Sequence, residues 1–229
     1  MARLLRLNLP DIPQHVVQRG NNRQPCFFSD QDYAVYLAKL REYSEQFKVS
    51  IHAYVLMTNH VHLLATPETE KGVSQMMQAL GRYYVRYFNK RHKRSGTLWE
   101  GRFKSSLVDS ECYFLVVSRY IELNPVRAQM VTHPSHYTWT SFHFNGEMKP
   151  IKLIKPHGLY LALGTTPRLR AQNYISLFDS EIPDSKIEEI RCAINSTRVL
   201  GNEVFKRQIE QKTGLTLIPK PWGGERHSR

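Results

Sequence analysis

The period of the apolar positions changes several times along this chain, and each change marks an element. His15-Val16-Val17-Gln18-Arg19 alternates and stops at Gly20, which predicts a strand followed by the polar turn Gly20–Gln24. From Asp30 or Gln31 to Phe47, the residues Tyr33, Tyr36, Leu37, Leu40, Tyr43 and Phe47 fall at helical spacing, with Ser29 or Asp30 as N-cap. Ile51 to Thr66, IHAYVLMTNHVHLLAT, is apolar and partly β-branched on both sides of Thr58-Asn59. It predicts two strands, His52–Met57 and Val61–Ala65, joined at that dipeptide. A second helical stripe covers Gly72–His92, with Val73, Met76, Met77, Leu80, Tyr83, Tyr84, Tyr87 and Phe88 on its apolar face. A turn over Gly96–Lys104 leads to a fourth strand at Ser105–Val108. A helix capped by Asp109 or Ser110 follows and ends near Asn124, because Pro125 disfavours helical geometry in the residue before it.

The order strand, helix, strand, strand, helix, strand, helix predicts an α+β fold. Its expected form is a ferredoxin-like (split βαβ) four-stranded antiparallel sheet with two helices on one face and the other face left for a site. In that topology the first and third strands are central, and His60 and His62 lie on the third. Beyond about Pro150 the character changes. Leu159–Leu163 is a short apolar patch, and Pro167–Phe178, Ser185–Asn195 and Asn202–Thr213 read as short helices punctuated by Gly164, Pro183, Gly201 and Gly214. The expected organisation is a first domain over 1–150, a C-terminal helical appendage over 151–218, and a disordered polar tail over 219–229.

Composition narrows the class of partner. A formal net charge of +12 on 229 residues, with pI about 9.7, points to a polyanion. No long apolar run and no basic amphipathic anchor is present, so a membrane is not an expected partner. The N-terminus MARLLRLNLP is too short and too rich in arginine for a secretory signal. Three scattered cysteines, Cys26, Cys112 and Cys192, suggest reduced thiols in a cytoplasm.

Strand periodicity sets His60 and His62 side by side while Val61 and Leu63 point into a core. Two neutral imidazoles so placed can each give a nitrogen to one divalent metal. A bare His-x-His reads as readily as two ordinary half-buried polar residues. Tyr120 and Asn124 are one helical turn apart on one face. If that helix lies beside the sheet, the amide oxygen of Asn124 can complete a three-ligand site and the phenol of Tyr120 can attack a phosphate held there. Alternatively, Tyr120 is a packing residue on the stripe of Tyr113 and Val117. Arg82, Arg86, Lys90, Arg91, Lys93 and Arg94 are interleaved with Tyr83, Tyr84 and Tyr87, and Arg102 and Lys104 follow. Cations neutralise phosphates and aromatic faces stack on unpaired bases, so the cluster favours nucleic acid over a merely solvated face. Arg119 and Arg127 flank Tyr120 and either clamp a phosphate or cap the helix. His52, alternating with Tyr54, reads as structural, and His92 as a phosphate or solvent contact.

Several segments, in order, resemble the REP-associated tyrosine transposases of the single-tyrosine HUH superfamily. They are MAR at the start, HVVQRGNNRQ with Phe27-Phe28, HAYVLMTNHVHLL, RYFNKRHKRSGTLWEGRFKSSLV, RYIELNPVRAQMV and the aromatic HYTWTSF, together about the first 145 residues. The histidine–hydrophobic–histidine signature is His60-Val61-His62. The resemblance implies a ferredoxin-like nuclease with Tyr120 as nucleophile, giving a 5′-phosphotyrosine link and a free 3′-OH. It implies Mg²⁺ or Mn²⁺ on His60, His62 and Asn124. The implied substrate is single-stranded DNA with REP-like hairpins, contacted by the basic residues of positions 82–104 and by Arg119 and Arg127. A bacterial, cytoplasmic, nucleoid-associated protein is expected, as a monomer or a homodimer. Two other readings stay open: a non-catalytic nucleic-acid-binding module on the same sheet, and a hydrolytic nuclease in which water attacks.

Overall fold

A computed structural model describes residues 6–196 and 199–217; the MAR segment and the tail over 219–229 lie outside the described residues. The elements are β1 (Gln14–Arg19), α1 (Asp30–Gln46), β2 (Val49–Leu56), β3 (His60–Pro67), α2 (Gly72–Arg91), β4 (Lys104–Val108), α3 (Ser110–Glu122), α4 (Asn124–Arg127), α5 (Phe142–Asn145), α6 (Gly158–Leu161), α7 (Pro167–Ser176), α8 (Asp184–Ser196), β5 (Val199–Leu200) and α9 (Glu203–Thr213).

The strands lie in the order β2-β3-β1-β4-β5. The first four are antiparallel, with β1 and β3 inside, which is the predicted ferredoxin-like core. The sheet is nevertheless five-stranded and mixed. Val199 and Leu200 pair in parallel with Leu107 and Val108 and cover the edge that a four-stranded sheet would leave open. Two residues carry no periodicity, so this strand has no signature of its own. The other edge is also protected: Val55 bridges Thr140, and the Leu56 N–H donates to the Trp139 carbonyl at 3.0 Å.

Alternation divides the sheet residues between two layers. Val16, Val61, Leu63 and Ala65 pack under α1 and α2 with Tyr36, Leu40, Met76, Leu80 and Tyr84. Ala53, Val55 and Leu64 face the other way, against Phe114, Val117 and Ile121 of α3. A bulge between Ile51 and Ala53 breaks the expected alternation of His52 with Tyr54. His52 thereby turns towards Phe114, where its ring nitrogens bond the Lys155 carbonyl at 2.6 Å and the Thr66 hydroxyl at 2.9 Å.

Local chemistry fixes the element ends. The Asp32 carboxylate, wholly buried, accepts from the Phe28 and Ser29 N–H groups and so starts α1. His92 Nε2 bonds both oxygens of the same carboxylate, at 3.1 and 3.0 Å. His92 therefore ties the end of α2 to the start of α1, and is not the phosphate or solvent contact expected from its basic surroundings. A Cβ on Gly20 would stand 2.2 Å from the Gln24 carbonyl, so only glycine lets β1 run into its turn. Asp109 caps α3 by accepting from the Glu111 N–H. α3 ends at Glu122, near Asn124 as expected, but Pro125 does not keep Asn124 itself out of helical geometry. It sits in the first turn of α4, where a missing N–H costs nothing.

Candidate active site

The layer opposite α1 and α2 is not closed. α3 lies over β2 and β3, while α8 lies over β1, β4 and β5. Between them a cleft of about 510 Å³ opens over the sheet. Its floor is Val17 and Arg19 of β1, His60 and His62 of β3 and Lys104 of β4. One wall is Tyr120 and Asn124; the other is Arg191, Ile194 and Asn195 of α8. Glu100 and Arg102 stand at its mouth.

Register explains the floor. Val17 pairs with His62 and Arg19 with His60, so these four side chains share one face. His15, two residues before Val17, is on the same face and completely buried. Its Nε2 lies 2.8 Å from His62 Nδ1, with the rings stacked at 5.1 Å. His60 and His62 are 5.0 Å apart between ring centroids. His60 Nδ1 is 2.6 Å from Asn59 Oδ1. Both Nδ1 atoms are thus engaged, which leaves each Nε2 for a ligand in the manner of metal-binding histidines.

Burial holds these imidazoles neutral. It lowers His60 to about 4, helped by the Arg19 charge and opposed by Asn124, whose amide oxygen can accept from the charged ring. It lowers His15 to about 3, helped by Arg127, and puts His62 well below the ordinary range. Neutral nitrogens beside an amide oxygen fit a divalent ion. No cluster of three or more His, Cys, Asp or Glu suited to a metal exists among the described residues, so any such site rests on this two-imidazole, one-amide set.

The phenol of Tyr120 completes the cleft. Its ring centroid is 6.1 Å from that of His62 and 5.8 Å from that of His15. The Arg127 guanidinium lies 4.0 Å above the ring and donates to the Tyr120 carbonyl at 2.8 Å. Arg191, paired with Glu188 on α8, lines the same cleft. The structure therefore brings together Tyr120, His60, His62, Asn124, Arg102 and Lys104 within one chain, with Arg127 against the phenol.

Other sequence-selected cations lie elsewhere. Arg82 and Arg86 line a second concavity on α2 with Arg102, and Lys90 lies beyond them along the same helix. Arg91 pairs with Asp32 at 3.6 Å, and Arg94 stacks on Phe88 at 5.4 Å. Lys93 holds a left-handed conformation at the end of α2, with φ of 51°. Arg119 is buried, donates to the Ser180 carbonyl and packs on Phe178, so it serves the appendage and not the cleft. His15, Arg19, Arg191 and Asn195 enter the site without having been singled out. Only the strand register could have shown His15, and nothing local marks the face of α8 that carries Arg191.

A model of the IS200-like transposases matches residues 9–124, half of the chain and every element that builds the cleft floor. The chain belongs to the IS200-like transposase family. Its fold is similar to a REP-associated tyrosine transposase solved with a REP hairpin, at TM-score 0.52 and 17% identity, covering 69% of this chain and 99% of that one. A candidate transposase of Deinococcus radiodurans R1 also matches, at TM-score 0.37 and 23% identity over 53% of this chain and 95% of that one. Among curated proteins none matches. Membership makes this a transposase-type protein, in a family whose chemistry is DNA cleavage. Among the described residues no helix of this IS200-like chain is long and apolar enough to cross a membrane.

Proposed function

We propose that this transposase cuts and rejoins single-stranded DNA at hairpin-forming, REP-like sequences through a 5′-phosphotyrosine link on Tyr120. The observation that carries the reading is the convergence of the Tyr120 phenol with His60, His62 and Asn124 in one cleft. A pure binding module has no use for that set. The Tyr120 oxygen forms a bond to the scissile phosphorus, the bond from phosphorus to the 3′ oxygen breaks, and the phenol proton leaves to solvent or the departing oxygen. Attack by another 3′-OH reverses the step and joins strands without ATP. Arg127 and Arg191 supply positive charge where the phosphate must sit. His60 and His62 through Nε2, and Asn124 through its amide oxygen, would hold Mg²⁺ or Mn²⁺. Such an ion, when bound, withdraws charge from the phosphoryl oxygens and stabilises the leaving 3′ oxygen.

The phenol reaches the imidazoles of its own chain, which supports a monomer as the cutting unit. The hairpin bound to the structural relative supports a hairpin partner here. Cytoplasmic action on the bacterial nucleoid follows from such a substrate. Arg191, Ile194 and Asn195 support a covering role for α8 at the cleft, the more so because Lys104 donates to Asn195 at 3.0 Å.

The test is incubation with single-stranded hairpin DNA and Mg²⁺ or Mn²⁺, read on a denaturing gel. A protein–DNA adduct that EDTA abolishes and added metal restores is the expected result, and His60→Ala is expected to bind DNA but lose metal-dependent cutting. Cutting without an adduct would favour attack by water; binding without cutting would favour a module. His15→Phe keeps a ring against His62 but removes the nitrogen that orients it. It is expected to raise the Mn²⁺ concentration needed for cutting roughly tenfold to a hundredfold. An unchanged requirement would reduce His15 to packing.

A further inference from the structure

The cleft holds a cation that the cutting step described above leaves unused. Lys104 opens β4 and is exposed there, lining the cleft. Val17 pairs with His62 on one side and with Lys104 on the other. Paired residues of antiparallel strands share a face, so the three side chains form one row across the floor. Two strand spacings, about 10 Å in all, separate the backbones of His62 and Lys104. That span leaves room for a phosphate above Val17.

The Lys104 ammonium donates to Asn195 Oδ1 at 3.0 Å. It takes part in none of the ion pairs found among the described residues. Arg191, the cation of the α8 wall, is already paired with Glu188. Lys104 is therefore charged, oriented by an amide oxygen and not neutralised by a carboxylate.

In-line displacement at phosphorus sends the leaving oxygen away from the attacking one. The Tyr120 phenol stands on the α3 wall, so the 3′ oxygen departs towards the α8 wall and the Lys104 side of the floor. An alkoxide leaves far more readily with a proton supplied. Asn195 presents its oxygen to Lys104, and the guanidinium groups of Arg102 and Arg191 do not give up protons in a protein. An ammonium on a flexible stem does so readily.

We propose that Lys104 is the general acid of strand cleavage, giving a proton from Nζ to the departing 3′ oxygen, and that Asn195 is the positioning residue that holds the ammonium for this transfer. This rests on the reading that Tyr120 attacks the scissile phosphate, and deepens it. As the Tyr120 oxygen bonds to phosphorus, the bond to the 3′ oxygen breaks. That oxygen takes the Lys104 proton and leaves as a 3′-OH, while the phenol proton goes to solvent. In rejoining, the uncharged amine takes a proton from the attacking 3′-OH, and the released phenolate is protonated by solvent. Asn195 thereby gives the C-terminal appendage a share in the chemistry.

The test compares ordinary hairpin DNA with DNA in which sulfur replaces the scissile 3′ oxygen, using the full chain and Mn²⁺ throughout. A thiolate leaves without a proton, so the sulfur substrate has no need of an acid. The wild type is expected to form the tyrosine adduct on both. Lys104→Met and Lys104→Arg are expected to form it on ordinary DNA roughly a hundredfold or more slowly. On the sulfur substrate both are expected to return close to the wild-type rate. Arginine keeps the charge, so its failure on ordinary DNA assigns the effect to the proton; it also decides alone if Lys104→Met does not fold. Asn195→Ala is expected to show a smaller loss that sulfur likewise relieves, whereas a merely structural role would slow both substrates alike. A wild-type rate for Lys104→Arg on ordinary DNA overturns the proposal, as does a loss of equal size on both substrates. In either case a wild-type adduct that Tyr120→Phe lacks leaves the tyrosine reading standing. A wild-type chain that forms no adduct on either DNA overturns both.

Discussion

Tyr120→Phe is expected to bind hairpin DNA as the wild type does, to cut it at least roughly a thousandfold more slowly, and to leave no protein–DNA band on a denaturing gel. The substitution is narrow. The ring keeps its place beneath the Arg127 guanidinium, 4.0 Å away, and among Val117, Ile121 and Val55 in the layer behind the cleft. Only the hydroxyl goes. Even a hydrogen bond lost with it would cost about 1 kcal/mol, too little to unfold a domain of this size. Loss of cutting with a normal melt therefore reports chemistry. The nearest tyrosine on the same helix, Tyr113, is held by Glu189 and Lys186 outside the cleft and offers no substitute. An adduct formed by the phenylalanine variant at the wild-type rate would remove Tyr120 from the mechanism.

Much of this architecture was legible because it rests on local periodicity. The apolar runs on both sides of Thr58-Asn59 could hardly be anything but paired strands, and the four-residue spacing of Tyr120 and Asn124 survives a helix that bends between them. The face opposite α1 and α2 carries a cleft, and His60 and His62 reach it because they alternate with core residues on a central strand. What escaped depends on pairing between distant segments. His15 matters only because β1 and β3 pair so that it lies diagonal to His62. Arg191 reaches the cleft from an amphipathic helix whose contacting face is set by tertiary packing. The basic run of α2 illustrates the same limit. Composition marks it as one nucleic-acid surface, yet the structure sends Arg82 and Arg86 to a pocket, Arg91 to Asp32 and Arg94 to a phenylalanine.

Glu122→Ala is expected to destabilise the chain by about 3 kcal/mol or more, a loss of the order of 10 °C in melting temperature. Glu122 is wholly buried two residues beyond Tyr120. Its carboxyl accepts from the Ser141 hydroxyl at 2.5 Å, from the Asn145 amide at 2.8 Å and from the Tyr174 hydroxyl at 2.8 Å. One side chain thus joins the end of α3 to α5 and α7. Alanine leaves three buried donors facing a void. The pH dependence separates this group from the histidines. Burial raises Glu122 to about 7 from an ordinary 4.5, against the pull of its three donors. The folded chain then holds a proton that the unfolded chain releases near 4.5. The contribution is full below that pH and falls as pH rises towards 7. His15 and His60, lowered to about 3 and 4, work the other way: their contribution is full above about 6.5 and falls as pH drops. Glu122→Gln stays neutral throughout, so it should lose less relative to wild type at pH 7.5 than at pH 5, as measured by paired thermal melts. A gap that does not change with pH would mean that the carboxyl is ionised at both, and the network would then be an anion held by three donors. In either case the joint sits two residues from both Tyr120 and Asn124, so loosening it is expected to slow cutting in conditions where the chain is still folded.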